Sequence, residues 1–373
     1  MEKESNGKEG YVMLLQRTAK KLQFGSWEEK DVAAKVIEEG LAKQDVKVRE
    51  LASELGVVRV LVSMAASEVA TRRRVGLKTL IQLSNGTHCQ RNKDLIVEAG
   101  ILSKLPKKID LADESTSEFA HLLSALSSSL SSLENTHFPH SSIQFLIDIL
   151  KTCSSFDTKQ SCLVALSNIS ALLENAGPLV SNGVVAIVLE LSLVKGSSEK
   201  ALTILGNLGV TSMGKKAIEN SSMVPECLIE ILSWEDEPKC QELSAYILII
   251  LANKNSTMRD KMAQSGIVSV LLEIALLGSS LVHKRALKLL QWFKDDRQIK
   301  MEPQSGPQTS RNAKESLVNQ RNTKEGKRMM KNLVKESLHR NMEIITNRAN
   351  AAGDSSNKLK SMVLSTSSIS LPY

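Results

Sequence analysis

The feature that most constrains this chain is a helix–turn–helix pattern that recurs about every 42 residues. Most copies place a glycine before an apolar helix, whereas the copy at Ile143 lacks it and Met223 heads another. A short break and a second helix of small and apolar residues follow, as in Val180–Leu205. We call the second helix of a unit its closing helix. The marker glycines Gly56 and Gly100 lie 44 residues apart, and two steps of 83 residues, each holding two units, lead to Gly183 and Gly266.

A period of this length predicts an all-α solenoid rather than a compact globule. Neither helix of a unit can bury its apolar face alone, so each unit has to pack on the next. We predict about six units over residues 46–298. The aromatic content of only 3% fits thin helices that pack through aliphatic side chains.

The segments that flank the repeats differ from them in composition. Ser26 and Glu29 have the spacing of a capping box, which predicts a helix start. The predicted buried contacts of this helix are Trp27, Val32, Val36 and Ile37. We expect disorder at 1–10, capping helices at 11–45, the helical repeats at 46–298, a linker at 299–323, a basic amphipathic helix at 324–350 and disorder at 351–373.

The net positive charge lies in the C-terminal fifth of the chain. Residues 299–373 carry 13 Lys and Arg against 6 Asp and Glu, which accounts for the whole net charge of +7. The repeat region is formally neutral. Because nucleic-acid binding needs basic residues gathered on one folded face, we expect no nucleic-acid partner.

The sequence predicts a protein of the cytoplasm, the nucleus or both. The five cysteines are scattered without a CxxC pair, as in a reducing compartment. The first ten residues have no apolar signal core, and no apolar run approaches the roughly 18 residues of a membrane span. We therefore expect no transmembrane segment.

Catalytic and metal sites find little support in the sequence. His88 and Cys89 are adjacent and point apart on a helix end, with no third group to orient them. His137 and His140 lack cysteine or carboxylate companions at ligand spacing. We predict no catalytic residue, no metal and no cofactor.

The repeat resembles a known family. Gly266-Ile-Val-Ser-Val-Leu-Leu, Ala165-Leu-Ser-Asn-Ile and Ile204-Leu-Gly-Asn-Leu are similar to the armadillo repeat, which implies a right-handed superhelix with an inner groove. Phe24-Gly-Ser-Trp-Glu-Glu-Lys and Lys284-Arg-Ala-Leu-Lys-Leu-Leu-Gln-Trp-Phe resemble the armadillo region of plant U-box proteins. Residues 1–46 show no U-box pattern, so the resemblance implies that region without its ligase domain.

The inner groove is where the resemblance implies a protein partner. Import adaptors of this class carry a ladder of Trp and Asn on successive closing helices. Here the Asn position holds Gln82, Asn168, Asn207, Ile250 and Trp292, and the Trp position holds no Trp. Asn168 and Asn207 have two interpretations, either binding the backbone of a partner peptide or tying one repeat to its neighbour.

Two basic segments are further candidates. Arg72, Arg73 and Arg74 are either a solvated charge run or a contact for an acidic partner. In the tail, Met330, Leu333, Val334, Leu338, Met342 and Ile345 recur at helical spacing beside Lys331, Lys335 and Arg340. This pattern fits an acidic or calmodulin-like partner, a nuclear-localisation signal, or docking on the chain's own solenoid.

The sequence thus favours a non-enzymatic scaffold that binds a protein along its groove. The alternative is an accessory or substrate-recognition part of a ubiquitin ligase whose U-box is absent from this chain. A nuclear-import-type adaptor ranks third.

Overall fold

A computed structural model describes residues 2–42, 46–85, 89–106, 109, 113–128 and 138–301. Within these ranges the regular structure is entirely helical, which confirms the predicted all-α solenoid. The α-helices are α1 (Glu2–Phe24), α2 (Trp27–Ala42), α3 (Val46–Glu54), α4 (Val57–Ala65), α5 (Ala70–Ser84), α6 (Gln90–Glu98), α7 (Ser115–Ser127), α8 (His140–Thr152), α9 (Phe156–Ser170), α10 (Ala176–Ser181), α11 (Val184–Ser192), α12 (Ser198–Gly209), α13 (Ser212–Glu219), α14 (Glu226–Leu232), α15 (Pro238–Ala252), α16 (Ser256–Gln264), α17 (Ile267–Leu277) and α18 (Ser280–Met301). Short 3₁₀ turns span Ile101–Ser103 and Leu173–Asn175.

The helices group into an N-terminal pair and six repeat units. The pair is α1 and α2, and the units end with the closing helices α5, α7, α9, α12, α15 and α18. Each closing helix packs on the next one along the chain, and α2 packs on α5. This unbroken row of neighbours is the geometry of a solenoid, in which every unit is stabilised by those on either side.

Glycine makes the sharp turn into the apolar helix of four units. Gly56, Gly100, Gly183 and Gly266 have φ between 74° and 85°, a left-handed conformation that L side chains rarely adopt. Pro106 follows the second of these turns, where only the 3₁₀ turn Ile101–Ser103 forms.

The core is a continuous aliphatic layer between successive helices. Leu77 and Leu80 of α5, and Leu202 and Leu205 of α12, are fully buried, as the small-and-apolar pattern of the closing helices predicts. Phe119 and Phe145 pack edge to face with ring centroids 6.1 Å apart. Burial of these side chains in every layer holds the row of closing helices at fixed spacing.

The N-terminal pair differs from prediction in two respects. Residues 2–10, expected to be disordered, form the first turns of α1, where five Glu and Lys residues favour the helix in spite of Gly7 and Gly10. The capping box is present, since the amide of Ser26 donates to Glu29 Oε2 at 2.9 Å. Of the four contacts predicted to be buried in α2, Ile37 is buried but Trp27, Val32 and Val36 are exposed.

The reason for this difference is that α2 buries a stripe of small residues against α5. Ala33 and Ala34 occupy it beside Ile37 and Leu41, all at most 3% exposed.

At the other end of the described chain, α18 continues to Met301, three residues past the predicted end of the repeats. The predicted linker beyond Met301, the amphipathic helix at 324–350 and the segment 351–373 lie outside the described residues.

Among the described helices, no single one is long and apolar enough to cross a membrane. A strongly bent pair, α9 with Leu173–Ser181, meets the length and composition criteria together.

Candidate functional site: the inner face of the closing helices

The six closing helices α5, α7, α9, α12, α15 and α18 lie side by side and present one continuous surface, which we call the inner face. Two predicted site residues on it link neighbouring repeats. Asn168 Nδ2 donates to Ser127 Oγ of the preceding closing helix, and Asn207 Nδ2 donates to Ser170 Oγ, both at 3.0 Å. Each asparagine thus ties its repeat to the one before it. The Oδ1 atoms of both accept no hydrogen bond from another described residue.

Gln82 occupies the same position on α5 and is half-buried. Its side-chain amide makes no hydrogen bond within the described part of the chain. The inner face therefore carries three amide side chains in a row of equivalent positions, with unused hydrogen-bonding capacity in each.

Arg72 is fully engaged within the chain. Its Nε and Nη2 donate to the two carboxylate oxygens of Asp31, at 2.9 and 3.1 Å, and its guanidinium lies 4.4 Å from the centroid of the Trp27 ring. The hydrogen bonds to Asp31 raise the pKa of Arg72. This arrangement joins α2 to α5, and it explains why Trp27 stays at the surface, since its ring stacks on a cation.

Arg73 and Arg74 also have acidic partners within the chain. Arg73 pairs with Asp113 and donates from Nε to Ser115 Oγ at 3.0 Å. Arg74 pairs with Glu114 and donates to Glu118. Because all three guanidinium groups are occupied by carboxylates of the chain itself, an acidic partner protein would have to displace them.

A cleft of about 570 Å³ opens in the inner face between α5, α7 and α9. Its surface is mixed, with both polar and apolar atoms facing the cleft. Its lining residues are Lys78, Ile81, Asn85, Ser117, Glu118, His121, Ser124, Ala125 and Ser161. The cleft is a concave site with several hydrogen-bonding groups, large enough for one or two side chains of a bound peptide.

Glu118 is the buried charge of this cleft. Its Oε1 accepts a hydrogen bond from Arg74 Nε at 2.8 Å and lies 3.9 Å from Lys78 Nζ. Its Oε2 is buried and has no hydrogen-bond partner among the described residues. Burial raises the pKa of the Glu118 carboxyl, although Arg74 and Lys78 act in the opposite direction. A buried carboxylate oxygen without a donor is costly.

His121 connects α7 to α9 in the same cleft. Its Nδ1 lies 2.7 Å from Ser161 Oγ, and its Nε2 lies 3.3 Å from Asp157 Oδ2. The three residue types are those of a hydrolase triad. However, Ser161 lies inside α9, whose backbone N–H groups are engaged in the helix, so none is left to stabilise an oxyanion beside Ser161. The contacts serve to hold the two closing helices together.

The opposite end of the inner face is aromatic. Tyr246 of α15 and Trp292 of α18 are half-buried, and each has a cation over its ring. Arg285 lies 5.2 Å from the Tyr246 centroid and Lys288 lies 5.3 Å from the Trp292 centroid. Ile250 lies at the position that Asn168 and Asn207 hold in earlier repeats. The inner face thus changes from polar and amide-rich to aromatic and aliphatic along the solenoid.

The described residues contain no group of three or more His, Cys, Asp or Glu side chains placed to hold a metal ion. Cys89 is buried at the start of α6, and burial raises the pKa of the Cys227 thiol to about 12. His140 Nε2 lies 3.1 Å from Asn182 Nδ2. His88, His137 and the tail candidates Lys331, Lys335 and Arg340 lie outside the described residues.

The cleft residues Lys78, Glu118 and His121 were not identified from the sequence. A signal did exist, because Ser117, His121 and Ser124 form a polar stripe at helical spacing opposite the apolar stripe of α7. The stripe alone does not show which side chains of α5 and α9 face it. That information depends on how the repeats stack.

Comparison with known proteins agrees with this geometry. No family model matches the chain. The chain is 27% identical over 267 residues to "U-box domain-containing protein 45" of Arabidopsis thaliana, covering 69% of this chain and 34% of that protein. It therefore spans about a third of the length of this relative.

Two solved structures share the fold. One is an engineered protein from the Northeast Structural Genomics Consortium, with 22% identity, a TM-score of 0.61 and coverage of 74% of this chain and 67% of the other. The second is a designed armadillo repeat protein, with 17% identity, a TM-score of 0.54 and coverage of 64% and 99%. The chain folds as an armadillo-type solenoid and is similar in sequence to a plant U-box protein.

Proposed function

We propose that this chain is a non-enzymatic scaffold that binds an extended segment of a partner protein along its inner face. The observation that carries the proposal is the cleft between α5, α7 and α9, where a buried carboxylate oxygen of Glu118 has no hydrogen-bond donor in the described part of the chain. The cleft brings hydrogen-bonding groups of three closing helices together in one concave site, which is the arrangement that a bound side chain needs.

The groups along the inner face specify the chemistry of the partner. Glu118 favours a Lys or Arg side chain, or another N–H donor, in the cleft. The free amide oxygens of Asn168 and Asn207 suit the backbone N–H groups of an extended peptide, as does the side chain of Gln82. Tyr246 and Trp292 favour an apolar or aromatic side chain at the far end. The preferred segment is therefore basic at one end and apolar at the other.

The test is a selection of peptides from a random library on the full chain, followed by titration calorimetry. We expect selected peptides to carry a basic residue and to lose at least tenfold in affinity for Glu118→Gln. The matched control is Glu190→Gln, an exposed carboxylate on α11, which is not a closing helix. Equal affinities for both variants and the native chain would contradict a role for the cleft.

The similarity to a U-box protein favours a second candidate, in which the inner face recognises substrates for ubiquitin ligation. In that case the ligase chemistry is supplied by a U-box outside the 1–373 sequence. An autoubiquitination assay with this chain, an activating enzyme and a conjugating enzyme tests whether the chain transfers ubiquitin without a U-box. We expect no ubiquitin transfer by the chain alone, and transfer would overturn the non-enzymatic scaffold.

A further inference from the structure

The last repeat unit leaves an apolar face uncovered. In the apolar helices α4 and α11, the positions that stack on the next unit are at most 6% exposed. These residues are Val58, Val62 and Ala65 in α4, and Val185, Leu189 and Ser192 in α11. The residues at the same positions after the marker glycine of α17 are Val268, Leu272 and Ala275, and all three are only half-buried.

The closing helices show the same difference. Two leucine or alanine positions are fully buried in four of these helices. They are Leu77 and Leu80, Leu163 and Leu166, Leu202 and Leu205, and Ala245 and Leu248. The equivalent residues of α18 are Leu287, which is 49% exposed, and Leu290, which is half-buried. The sequence of the last unit therefore keeps the apolar residues of a stacking unit, although no seventh unit covers them in the described chain.

We call this surface the C-terminal end face and define it by Val268, Leu272, Ala275, Leu276, Leu287 and Leu290. Leu276 is 61% exposed, so the face extends to the end of α17. Terminal repeats of a solenoid normally carry polar residues on their outer side, because nothing stacks there. An exposed end face made of six apolar residues indicates a surface that another element covers.

We propose that the chain's own segment Lys324–Asn350 covers the C-terminal end face as an amphipathic helix. Its apolar residues recur every three or four positions, which places them on one side of a helix. They are Met330, Leu333, Val334, Leu338, Met342 and Ile345. This stripe matches the apolar character of the end face, while Glu336 and Arg340 would remain at the solvent side.

The length of the chain permits this arrangement. Between Met301 and Lys324 lie 22 residues, which extend at most about 75 Å. From Leu287 to Met301, α18 covers only about 21 Å at 1.5 Å per residue. The segment can therefore return to the end face, and its tethering gives an effective concentration on the order of millimolar, well above that of a second copy in dilute solution.

The first test uses the full chain with a photo-reactive phenylalanine derivative at Leu333. We expect cross-links to α17 and α18. When ¹⁵N-labelled and unlabelled protein are mixed, each cross-link should join two segments of the same chain. The matched control places the same group at Asn332, on the opposite side of the predicted helix, and should give at least fivefold fewer of these cross-links. Cross-links between labelled and unlabelled chains would show a dimer instead and overturn the proposal, as would cross-links to α1 or α2.

A second measurement does not depend on cross-linking. Leu333→Asp with Leu338→Asp places charges in the stripe without changing the described repeats. We expect amide hydrogen exchange in Ile267–Leu277 and residues 286–291 to become at least tenfold faster, with no change in α4 and α5. Unchanged exchange at α17 and α18 would show that the tail does not cover the end face.

Discussion

Both carboxylate oxygens of Asp31 accept hydrogen bonds from Arg72, at 2.9 and 3.1 Å, and so tie the N-terminal pair of helices to the first closing helix. The side chains are 31% and 16% exposed, so solvent screens the pair only in part. We expect Asp31→Ala to lower the free energy of unfolding, because it leaves the guanidinium of Arg72 without its bidentate partner.

Urea denaturation of the full chain measures this effect. Glu54→Ala is the matched control, since Glu54 and Arg91 form a pair whose side chains are 51% and 72% exposed. The control should change the free energy of unfolding by less than about 0.5 kcal/mol. Equal losses for the two variants would mean that the bidentate geometry contributes nothing.

The link between Asn207 and Ser170 gives a second prediction. Asn207→Ala should lower the free energy of unfolding by about 1 kcal/mol, because the hydrogen bond between α12 and α9 is lost. Asn207→Asp should cost more at neutral pH. Ser170 Oγ already donates to Ser167 O, so a carboxylate would face an acceptor.

Thr203→Ala is the control for this pair, since the Thr203 hydroxyl bonds only within its own helix, to Glu199 O. Thermal unfolding should show a change below about 0.5 kcal/mol for it. A loss for Asn207→Ala no larger than this would assign the asparagine to partner binding instead of repeat stacking.

Because burial raises the pKa of Glu118, the contribution of this group to the free energy of unfolding depends on pH. The native state keeps this proton at a pH where the unfolded chain, with the ordinary value of 4.5, has lost it. The unfolded state then binds fewer protons, so this group's contribution to the free energy of unfolding falls as pH rises from about 4.5 through the native pKa.

Glu118→Gln removes this contribution. Its free energy of unfolding, relative to the native chain, should increase between pH 4 and pH 7 in denaturation experiments. A relative stability that decreases over this range would show that the Arg74 pair outweighs burial, contrary to our interpretation of the cleft.

The turn glycines test the repeat geometry itself. Gly183 has φ of 74° and no atom within 4 Å of the position that a Cβ would take. Gly183→Ala should therefore cost about 1 kcal/mol through backbone strain alone. Gly206, inside α12, is the control, because its Cβ would meet Tyr246 at an ordinary 3.5 Å. Gly206→Ala should be neutral or stabilising by up to about 1 kcal/mol. Equal effects in thermal unfolding would contradict the left-handed turn at Gly183.

The sequence predicted the solenoid because its main determinants are local. A marker glycine in four of the six units and two apolar periodicities of 3.6 residues identify the helices without knowledge of their neighbours. Gly183 and Gly266 form the predicted turns before their apolar helices for this reason. The equivalent positions of Asn168 and Asn207 followed from the same period.

The parts that the sequence did not predict depend on contacts between units. Trp27 was expected to be buried, yet its partner Arg72 is 45 residues away, and the pairing keeps the ring at the surface. The cleft around Glu118 likewise combines side chains of three closing helices. Such a site forms only when the stacking rotation brings their polar stripes together, and no local pattern records that rotation.

The central claim, that the inner face binds a partner segment, is tested most directly by mapping where a selected peptide lies. A photo-reactive group next to the peptide's basic residue should cross-link to α5, α7 or α9 in the full chain, near Lys78 and His121. An excess of unlabelled peptide should abolish the cross-link. Competed cross-links confined to α4, α11 or α17, which are not closing helices, would contradict the account.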